Sequence, residues 1–524
     1  MRRIRCSIAV ILLAGFGFLF CGEQLLSLSL TSLKTAQESE VARQVKRLER
    51  PRRKVPAQAT VGYLSDQPDN LRYYYLTQYA LAPVVVLQTP EVELVVGNFL
   101  TTDTQTVLRQ YPQFSLYEDF GDGVLLLSRR VKTSLDPPQG GEISWVRESA
   151  EVTSRPLSTV MWGVWSILFV GLSGVLLVYR FCRAARWTFM HFLLLGSLAL
   201  GLGWGLSSLL YFLCLSLWGT FHYGLMLVET FLLAALFFLG RKKKPLVAFA
   251  LNDGIRVRNR RDLATGLMGV LVLFGLLSIG FLFIKQSILN PHGEWDAWAI
   301  WNLHARFLFR GNEHWTALFT PGIGWTHQSY PLLLPGAIAR CWSYLGKETL
   351  WIPGLVGGCF TFATVGLLLG GVHQLRGPLS GYLAAVVLMG TPLFYALGAD
   401  QMADVPVGYF FLATLLLLVL HDYGAEPQDG YLVVAGLMAG CAAWTKDEGL
   451  VFVFVVLTVR GTFAVRQRGW RAGWQDCRPF LTGAVPILIV LAYFKLVYAP
   501  SDVLITGLEG ISRKDQILDM GRYG

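Results

Sequence analysis

The chain has 524 residues, of which 53% are hydrophobic and only 15% are charged, and its formal net charge is +10. Soluble domains have about a quarter charged residues, so this composition excludes a large soluble protein and indicates an integral membrane protein. The positive charge does not indicate nucleic-acid binding, because the basic residues cluster between long apolar runs, where membrane topology explains them.

The N-terminal segment 1–33 joins three arginines, Arg2, Arg3 and Arg5, to a long apolar run. This pattern predicts an uncleaved signal anchor, with a cleaved signal peptide as the alternative. Lipidation at Cys21 is not expected, because Phe20 precedes the cysteine where a lipoprotein site needs a small residue.

Residues 34–157 differ in composition from the rest of the chain. After the charged linker KRLERPRRK, the strand-like runs PVVVLQ and GVLLLSRR alternate with polar, helix-compatible segments. We expect a small extracytoplasmic α/β domain here, and its sequence shows no catalytic constellation. None of the eight cysteines lies in this segment, and no CxxC pair or metal-ligand spacing occurs in the chain.

The following apolar runs are each about long enough to cross a hydrocarbon core roughly 30 Å thick. The predicted spans lie near 159–179, 187–217, 221–240, 264–284, 350–372, 379–398, 405–420, 430–445, 449–465 and 479–498. With the signal anchor they make about eleven transmembrane helices. The run 331–346 is too short to count, and we interpret it as a half-buried helix. The predicted fold is an all-α polytopic membrane protein with a small α/β domain near the N-terminus.

Basic residues in the short loops predict the orientation of these spans. A cytoplasmic N-terminus places the basic loops 180–186, 241–261 and 460–478 inside, whereas the long loop 286–330 holds only Arg306 and Arg310. We therefore expect the α/β domain and this long loop on the outer face of a bacterial inner membrane. Glu229 lies within an apolar run, where an ionisable group is either functional or paired.

The outer loop after the fifth span, GEWDAWAIWNLHARFLFRG, carries Glu294, Asp296, Arg306 and Arg310 among tryptophans. One interpretation is an interfacial helix with its tryptophans in the headgroup layer. The other is a carboxylate held at the membrane surface, with cations nearby for a phosphate. The sequence leaves both open.

Two later outer segments also carry polar groups at the membrane edge. His327 in THQSYPLLLPG is either a solvated side chain or a ligand contact. Asp404 in GADQMADVP is either a helix N-cap or a second carboxylate in the pocket of Asp296. Lys446 in TKDEG lies either in a polar hairpin turn or at the site.

The order of these polar segments along the chain resembles that in the GT-C membrane glycosyltransferases, and the resemblance runs from about residue 264 to 470. The most similar groups are protein O-mannosyltransferases, lipid A aminoarabinose transferases and lipopolysaccharide-core transferases. Trp295-Asp296-Ala297 matches the acidic motif of the family, and HQSYPL matches its His-Pro-Pro-Leu-like segment. TPLFYALGADQMADVP and GLMAGCAAWTKDEG match two later segments. The chain departs from the family where Glu294 precedes Asp296 by two positions and where Tyr-Pro replaces the double proline.

The resemblance implies that a hexosyl or pentosyl group passes, with inversion, from a polyprenyl-phosphate donor to a hydroxyl of an extracytoplasmic glycan, lipid or protein. It implies Asp296 as the general base and Glu294 as its helper, because the acceptor hydroxyl must lose its proton as the bond forms. The residues implied in substrate binding are Arg306, Arg310, His327, Asp404 and Lys446. The cations among them would stabilise the phosphate leaving group.

A divalent cation held by Asp296 and Asp404 is left open, and no other cofactor is expected. We expect a GT-C-like catalytic region at 263–498, which makes 158–262 an additional transmembrane module and 499–524 an outer tail, truncated relative to many relatives. A transporter or lipid flippase is the competing interpretation, but it predicts mid-span charges and repeat symmetry that the sequence does not clearly show. The third interpretation is a non-catalytic scaffold protein.

Overall fold

The computed structural model describes residues 39–130, 156–182, 188–241, 260–424 and 428–500. The predicted signal anchor and almost all of the predicted C-terminal tail lie outside these residues. Within them, seven helices are long and apolar enough to cross a membrane, or eight if one bent pair counts as a single span. The structure is therefore that of a polytopic helical protein, and the count of about eleven spans stays a prediction.

The first part of the described chain is an α/β domain. Its elements are α1 (Glu40–Arg47), α2 (Glu49–Lys54), β1 (Thr60–Leu64), α3 (Leu71–Leu81), β2 (Val85–Leu87), β3 (Leu94–Asn98), α4 (Thr104–Gln110), β4 (Phe114–Asp119) and β5 (Val124–Arg129). The strands form one sheet in the order β2-β1-β3-β5-β4, parallel from β2 to β3 and antiparallel from β3 to β4. The two strand-like runs of the sequence are β2 and β5, which confirms their prediction.

The rest of the described chain is helical. The long helices are α5 (Pro156–Phe181), α6 (Phe189–Trp218), α7 (Gly224–Arg241), α8 (Arg260–Leu289), α9 (Asn302–Arg310), α10 (Leu333–Leu345), α11 (Trp351–Arg376), α12 (Pro378–Met389), α13 (Pro392–Ala399), α14 (Asp404–Tyr423), α15 (Asp429–Thr445), α16 (Asp447–Arg468) and α17 (Trp470–Val497). Each predicted span after the anchor corresponds to a helix, except that α12 and α13 form one run bent by 64°. Pro392 begins the second half, and its missing N–H explains the break.

Helix α10 was expected to be half-buried, and that expectation is wrong. All of its side chains except Ser343 and Leu345 are buried, because α6, α5, α9 and α11 pack around it. Small residues allow helices to approach closely in this bundle. A Cβ added at Gly203 of α6 would lie 1.9 Å from the carbonyl oxygen of Val170 in α5. Helices α5 and α6, both in the additional module, therefore pack tightly against each other.

Glu229 of α7 and Arg340 of α10 form a completely buried ion pair. Arg340 Nε donates to Glu229 Oε1 at 2.7 Å, and its Nη1 donates to the Ser166 carbonyl at 3.0 Å. Glu229 Oε2 accepts from Trp165 Nε1 at 3.0 Å and from the Tyr344 hydroxyl at 2.9 Å. Glu229 is therefore paired, and its place in an apolar run needs no transport role to explain it.

Breaking this pair should destabilise the bundle strongly. Glu229→Gln keeps the size of the side chain but leaves Arg340 as a buried uncompensated charge, which typically costs about 3–5 kcal/mol. The free energy of unfolding in detergent measures this loss. Thr230→Ala, at the exposed neighbouring position, is the matched control. The double variant Glu229→Leu/Arg340→Leu should recover most of the loss, and equal losses in the single and double variants would contradict the assignment.

Candidate functional site

Asp296 stands at the start of an unusual helix. Residues Ala297–Trp301 form a π-helical turn, and α9 follows directly at Asn302. Such turns are rare and are found preferentially at functional sites. Asp296 is half-exposed, and its side chain caps no backbone N–H and makes no hydrogen bond or ion pair with the part of the chain that the structure describes. Its carboxylate is therefore available to a substrate.

Glu294 lies beside Asp400, two residues before Asp296. The Glu294 N–H donates to the Asp400 carbonyl at 3.2 Å, and Asn290 Nδ2 donates to Glu294 Oε1 at 2.9 Å. Gln286 Nε2 donates to Asp400 Oδ1 at 2.9 Å. Burial raises the pKa of Asp400, the Gln286 hydrogen bond lowers it, and the charge of Glu294 raises it further. The backbone of Glu294 is thus tied to Asp400, whose carboxylate feels the charge of Glu294 and which the sequence did not single out as a site residue.

Tyr330 organises the other predicted residues. Its ring stacks on His327 at 5.0 Å between centroids and on Trp301 at 5.5 Å, with interplanar angles of 11° and 5°. His327 is exposed and has a left-handed backbone conformation, with φ 54° and ψ 53°. A non-glycine residue in this conformation is uncommon and is found preferentially at functional sites. The ammonium of Lys446 lies 5.9 Å from the centroid of the Tyr330 ring.

The charges around the Tyr330 hydroxyl show which groups meet there. Burial raises its pKa, the carboxylates of Glu448, Asp447 and Asp296 raise it further, and Lys446 opposes them. His327 and Lys446 thus lie at the ring of one tyrosine, and the charge of Asp296 acts on its hydroxyl. The sequence analysis missed Tyr330 because it was seen only as the residue that replaces a proline in the motif.

Asp404 joins this group through Lys446. The two side chains are 3.4 Å apart, and Glu448 lies 3.6 Å from the same ammonium. Burial lowers the pKa of Lys446, but the charges of Asp404 and Glu448 outweigh burial and leave the pKa raised. The N-cap of α14 is Ala403, and Asp404 makes no capping hydrogen bond. The N-cap interpretation of Asp404 is therefore wrong.

Arg306 and Arg310 bind the α/β domain. Both pair with Glu348, and Arg306 Nη2 lies 2.7 Å from its carboxylate. Arg306 Nη1 donates to the Tyr79 carbonyl at 2.7 Å, and Arg310 Nη1 donates to the Ala82 carbonyl at 2.8 Å. The guanidinium of Arg306 also lies 3.6 Å from the centroid of the Tyr79 ring. These contacts engage both arginines in docking the domain, and their substrate-binding role stays a prediction.

His292 completes the docking contact and was not recognised from the sequence. The Tyr79 hydroxyl lies 3.0 Å from His292 Nδ1, and Asn302 Nδ2 donates to the His292 carbonyl at 3.2 Å. Burial, followed by the charge of Arg306, lowers the pKa of His292 to about 3. The imidazole is therefore neutral, and its hydrogen bond with the Tyr79 hydroxyl holds the turn that leads to Glu294 and Asp296.

An apolar cavity of about 960 Å³ opens between α8 and α11. Ile284 and Ile288 line it and are also exposed on the surface of the bundle, so the cavity opens sideways. Its polar end is formed by Pro291 and Gln401. The Gln401 side chain donates to the Pro291 carbonyl at 3.2 Å and accepts from Asn302 at 2.7 Å. The cavity therefore ends in the two segments that lead to Asp296 and Asp404.

In the described ranges, no group of three or more His, Cys, Asp or Glu side chains could hold a metal ion. The nearest cationic group to Asp404 is the ammonium of Lys446. A divalent cation held by Asp296 and Asp404 stays an open alternative.

Residues 333–494 match the model of the dolichyl-phosphate-mannose-protein mannosyltransferase family. This match, to a family of the GT-C type, confirms the resemblance drawn from the motifs. It includes Asp404 and Lys446, whereas Asp296 and His327 precede it. Neither a curated protein nor a solved structure matches the chain. The match supports a membrane glycosyltransferase that uses a lipid-linked sugar.

Acid should weaken the structure around this site through two buried histidines. Burial lowers the pKa of both His292 and His304 from 6.5 to about 3. Between these values the unfolded chain binds more protons, so stability is fully present above about pH 6.5 and declines as the pH falls. The melting temperature of purified protein should therefore drop between about pH 7.5 and about pH 5.5.

The double variant His292→Asn/His304→Asn should have a flatter pH dependence than the wild type over this range. His327→Asn, at an exposed position, is the matched control and should keep the wild-type dependence. An unchanged pH dependence in the double variant would show that other groups cause the effect.

Proposed function

We propose that this protein transfers a sugar from a polyprenyl-phosphate donor to a hydroxyl group of an extracytoplasmic acceptor, with inversion at the anomeric carbon. The observation that carries the proposal is the unpaired carboxylate of Asp296 at the head of a π-helical turn, beside a cluster that contains His327 and Lys446. The family match of residues 333–494 supports the lipid-linked donor.

The cavity between α8 and α11 is the proposed site of the donor's lipid chain. A polyprenyl chain stays in the hydrocarbon layer, so a transferase needs an apolar groove that opens sideways and ends near polar groups. The cavity of about 960 Å³ has this form, with apolar helix faces along its sides and Gln401 at its end. The sugar would then lie at the membrane surface, where an acceptor in water reaches it.

Asp296 is the proposed general base. An acceptor hydroxyl is far too weak an acid to ionise near neutral pH, so a carboxylate must accept its proton as the new bond forms. Asp296 has no partner in the described part of the chain to compete for that proton. Glu294, two residues before Asp296, is the proposed helper. The hydrogen bond that Asn290 donates to its carboxylate holds that side chain in place. One direct displacement on the face opposite the phosphate gives inversion.

Lys446 and His327 are the proposed contacts of the departing phosphate. Charge develops on that group as the sugar leaves, and preorganised cations stabilise it most effectively. Asp404 and Glu448 fix the ammonium of Lys446 from two sides, which keeps it charged and in place. Asp404 thus acts through Lys446 in this proposal. Arg306 and Arg310 hold the loop to the α/β domain, and a contact with the substrate stays a prediction for them.

Asp296→Asn tests the base. The amide keeps the size of the side chain but cannot accept the proton, so sugar transfer should fall by about 10²–10⁴-fold. Mass spectrometry of cell-surface glycans, with the wild type or the variant as the only copy, identifies the product and measures its loss. Glu294→Gln is the matched control and should cost less. Near-normal transfer by a well-expressed Asp296→Asn variant would show that another group is the base.

Gly354→Phe tests the donor cavity. Gly354 lines the cavity, and a Cβ added there would be 3.8 Å from Ser287, so the backbone accommodates a side chain that then fills the space. We expect kcat/KM for a long-chain donor to fall by about tenfold or more, which corresponds to about 1.4 kcal/mol, and to fall less for a short-chain donor.

Gly408→Phe on α14 is the control for this variant, because a Cβ at Gly408 meets nothing within 4 Å and the residue does not line the cavity. Equal losses for long and short donors, or equal losses in both variants, would place the lipid chain elsewhere.

A further inference from the structure

Helix α3 of the α/β domain reaches the residues that flank the proposed base. The Tyr75 ring centroid lies 4.0 Å from that of Trp325, with the ring planes tilted by 32°, and 5.5 Å from that of Trp295 in an edge-on arrangement. Trp295 directly precedes Asp296, and Trp325 precedes His327 by two residues. One tyrosine of the domain therefore bridges the aromatic residues next to two predicted site residues.

These rings keep open surface although they lie at a contact between two parts of the protein. The Trp295 side chain is 39% exposed, and Tyr75 and Trp325 are half-buried. Trp295 also packs edge-on against the buried ring of Trp298 at 4.8 Å. That contact holds its ring in a fixed orientation while one side remains open.

Docking of the domain does not depend on these open faces. The buried polar contacts already fix the domain, through Arg306 and Arg310 with Glu348 and through Tyr79 with His292. Residues whose only role is to hold an interface together are usually buried within it, as Tyr79 is. Exposed aromatic faces beside a candidate base therefore indicate a ligand.

Polar groups at the edge of the aromatic cluster suit a ligand with many hydroxyls. Arg72 of α3 lies over the Trp298 ring at 5.8 Å, and its Nε is 2.9 Å from the Glu40 carboxylate. This pair and the exposed Glu294 offer both donors and acceptors of hydrogen bonds. Sugar rings have an apolar C–H face that packs on aromatic rings and a rim of hydroxyls that needs such groups.

We propose that Tyr75, Trp295 and Trp325 form an acceptor subsite that binds a carbohydrate ring and directs its free hydroxyl towards Asp296. The inference rests on the proposed function and narrows its acceptor to a glycan. It also gives the α/β domain a role, because α3 supplies one wall of the subsite. Tyr75 is a positioning residue in this assignment, since the reacting atoms lie at Asp296.

Saturation-transfer NMR on the full-length protein in nanodiscs tests this proposal without a donor. The probes are soluble hexasaccharides of glucose, mannose, galactose and N-acetylglucosamine. At least one should receive saturation on its ring protons. Trp295→Ala and Tyr75→Leu should each weaken its binding by about tenfold, the order expected for a lost ring contact. Tyr75→Phe keeps the ring and should bind like the wild type.

Three controls make the result decisive. Trp218→Ala removes another exposed tryptophan, one that stacks on His222 outside this cluster, and should leave binding unchanged. Protease protection of the α/β domain shows whether each variant remains docked. Asp296→Asn should bind the probe normally, which separates this inference from the proposed catalytic role.

No saturation on any hexasaccharide, or binding that is indifferent to Trp295 and Tyr75, would overturn the carbohydrate subsite while leaving the Asp296 assignment intact. If a serine- and threonine-rich peptide received saturation from the wild type but not from Trp295→Ala, the subsite would bind a protein acceptor. That result would equally overturn the inference. Normal sugar transfer by Asp296→Asn, with hexasaccharide binding intact, would remove the proposed base but not the subsite.

Discussion

A single carboxylate, that of Glu348, pairs with two arginines in this protein, and the arrangement of the candidate site depends on it. Glu348 pairs with both Arg306 and Arg310, whose other N–H groups donate to carbonyls of the α/β domain. Burying a guanidinium without such partners would cost several kcal/mol. The opposing charges hold the pKa of Glu348 down to about 2, although burial alone would raise it. The domain, α9 and the start of α11 are therefore fixed to one another.

The candidate site is built from segments that are far apart in sequence and meet at Tyr330. The π-helical turn contributes Trp301, the loop before α10 contributes His327, and the break between α15 and α16 contributes Lys446. Lys495 of α17 donates to the Ser329 carbonyl at 2.7 Å and so fixes the loop just before Tyr330. The fold thus gathers a carboxylate, an imidazole and an ammonium at one end of the bundle, which is the set that sugar transfer from a phosphate needs.

Patterns within one segment were predictable from the sequence. Alternating and β-branched runs located β2 and β5, and hydropathy located the helices of the bundle. The family resemblance was confirmed over residues 333–494. Partnerships between distant segments were not predictable, because no local pattern links Arg306 to Glu348 or Glu229 to Arg340. For this reason the docking contacts of the two arginines were not foreseen, and Tyr330 and His292 were overlooked. The burial of α10 was not predicted, because the sequence shows the length of this helix but not the helices that pack around it.

The π-helical turn at Ala297–Trp301 matters for comparing this chain with others. A π-helical turn accommodates one residue more than an α-helical turn, and one residue rotates a helix by about 100°. The direction of Asp296 relative to Trp301 therefore depends on that single extra position. Another chain could keep the Trp-Asp-Ala motif yet lack the insertion, and its aspartate would then point away from the tyrosine. The number of residues between the aspartate and the stacked tryptophan is thus a better criterion of shared chemistry than the motif itself.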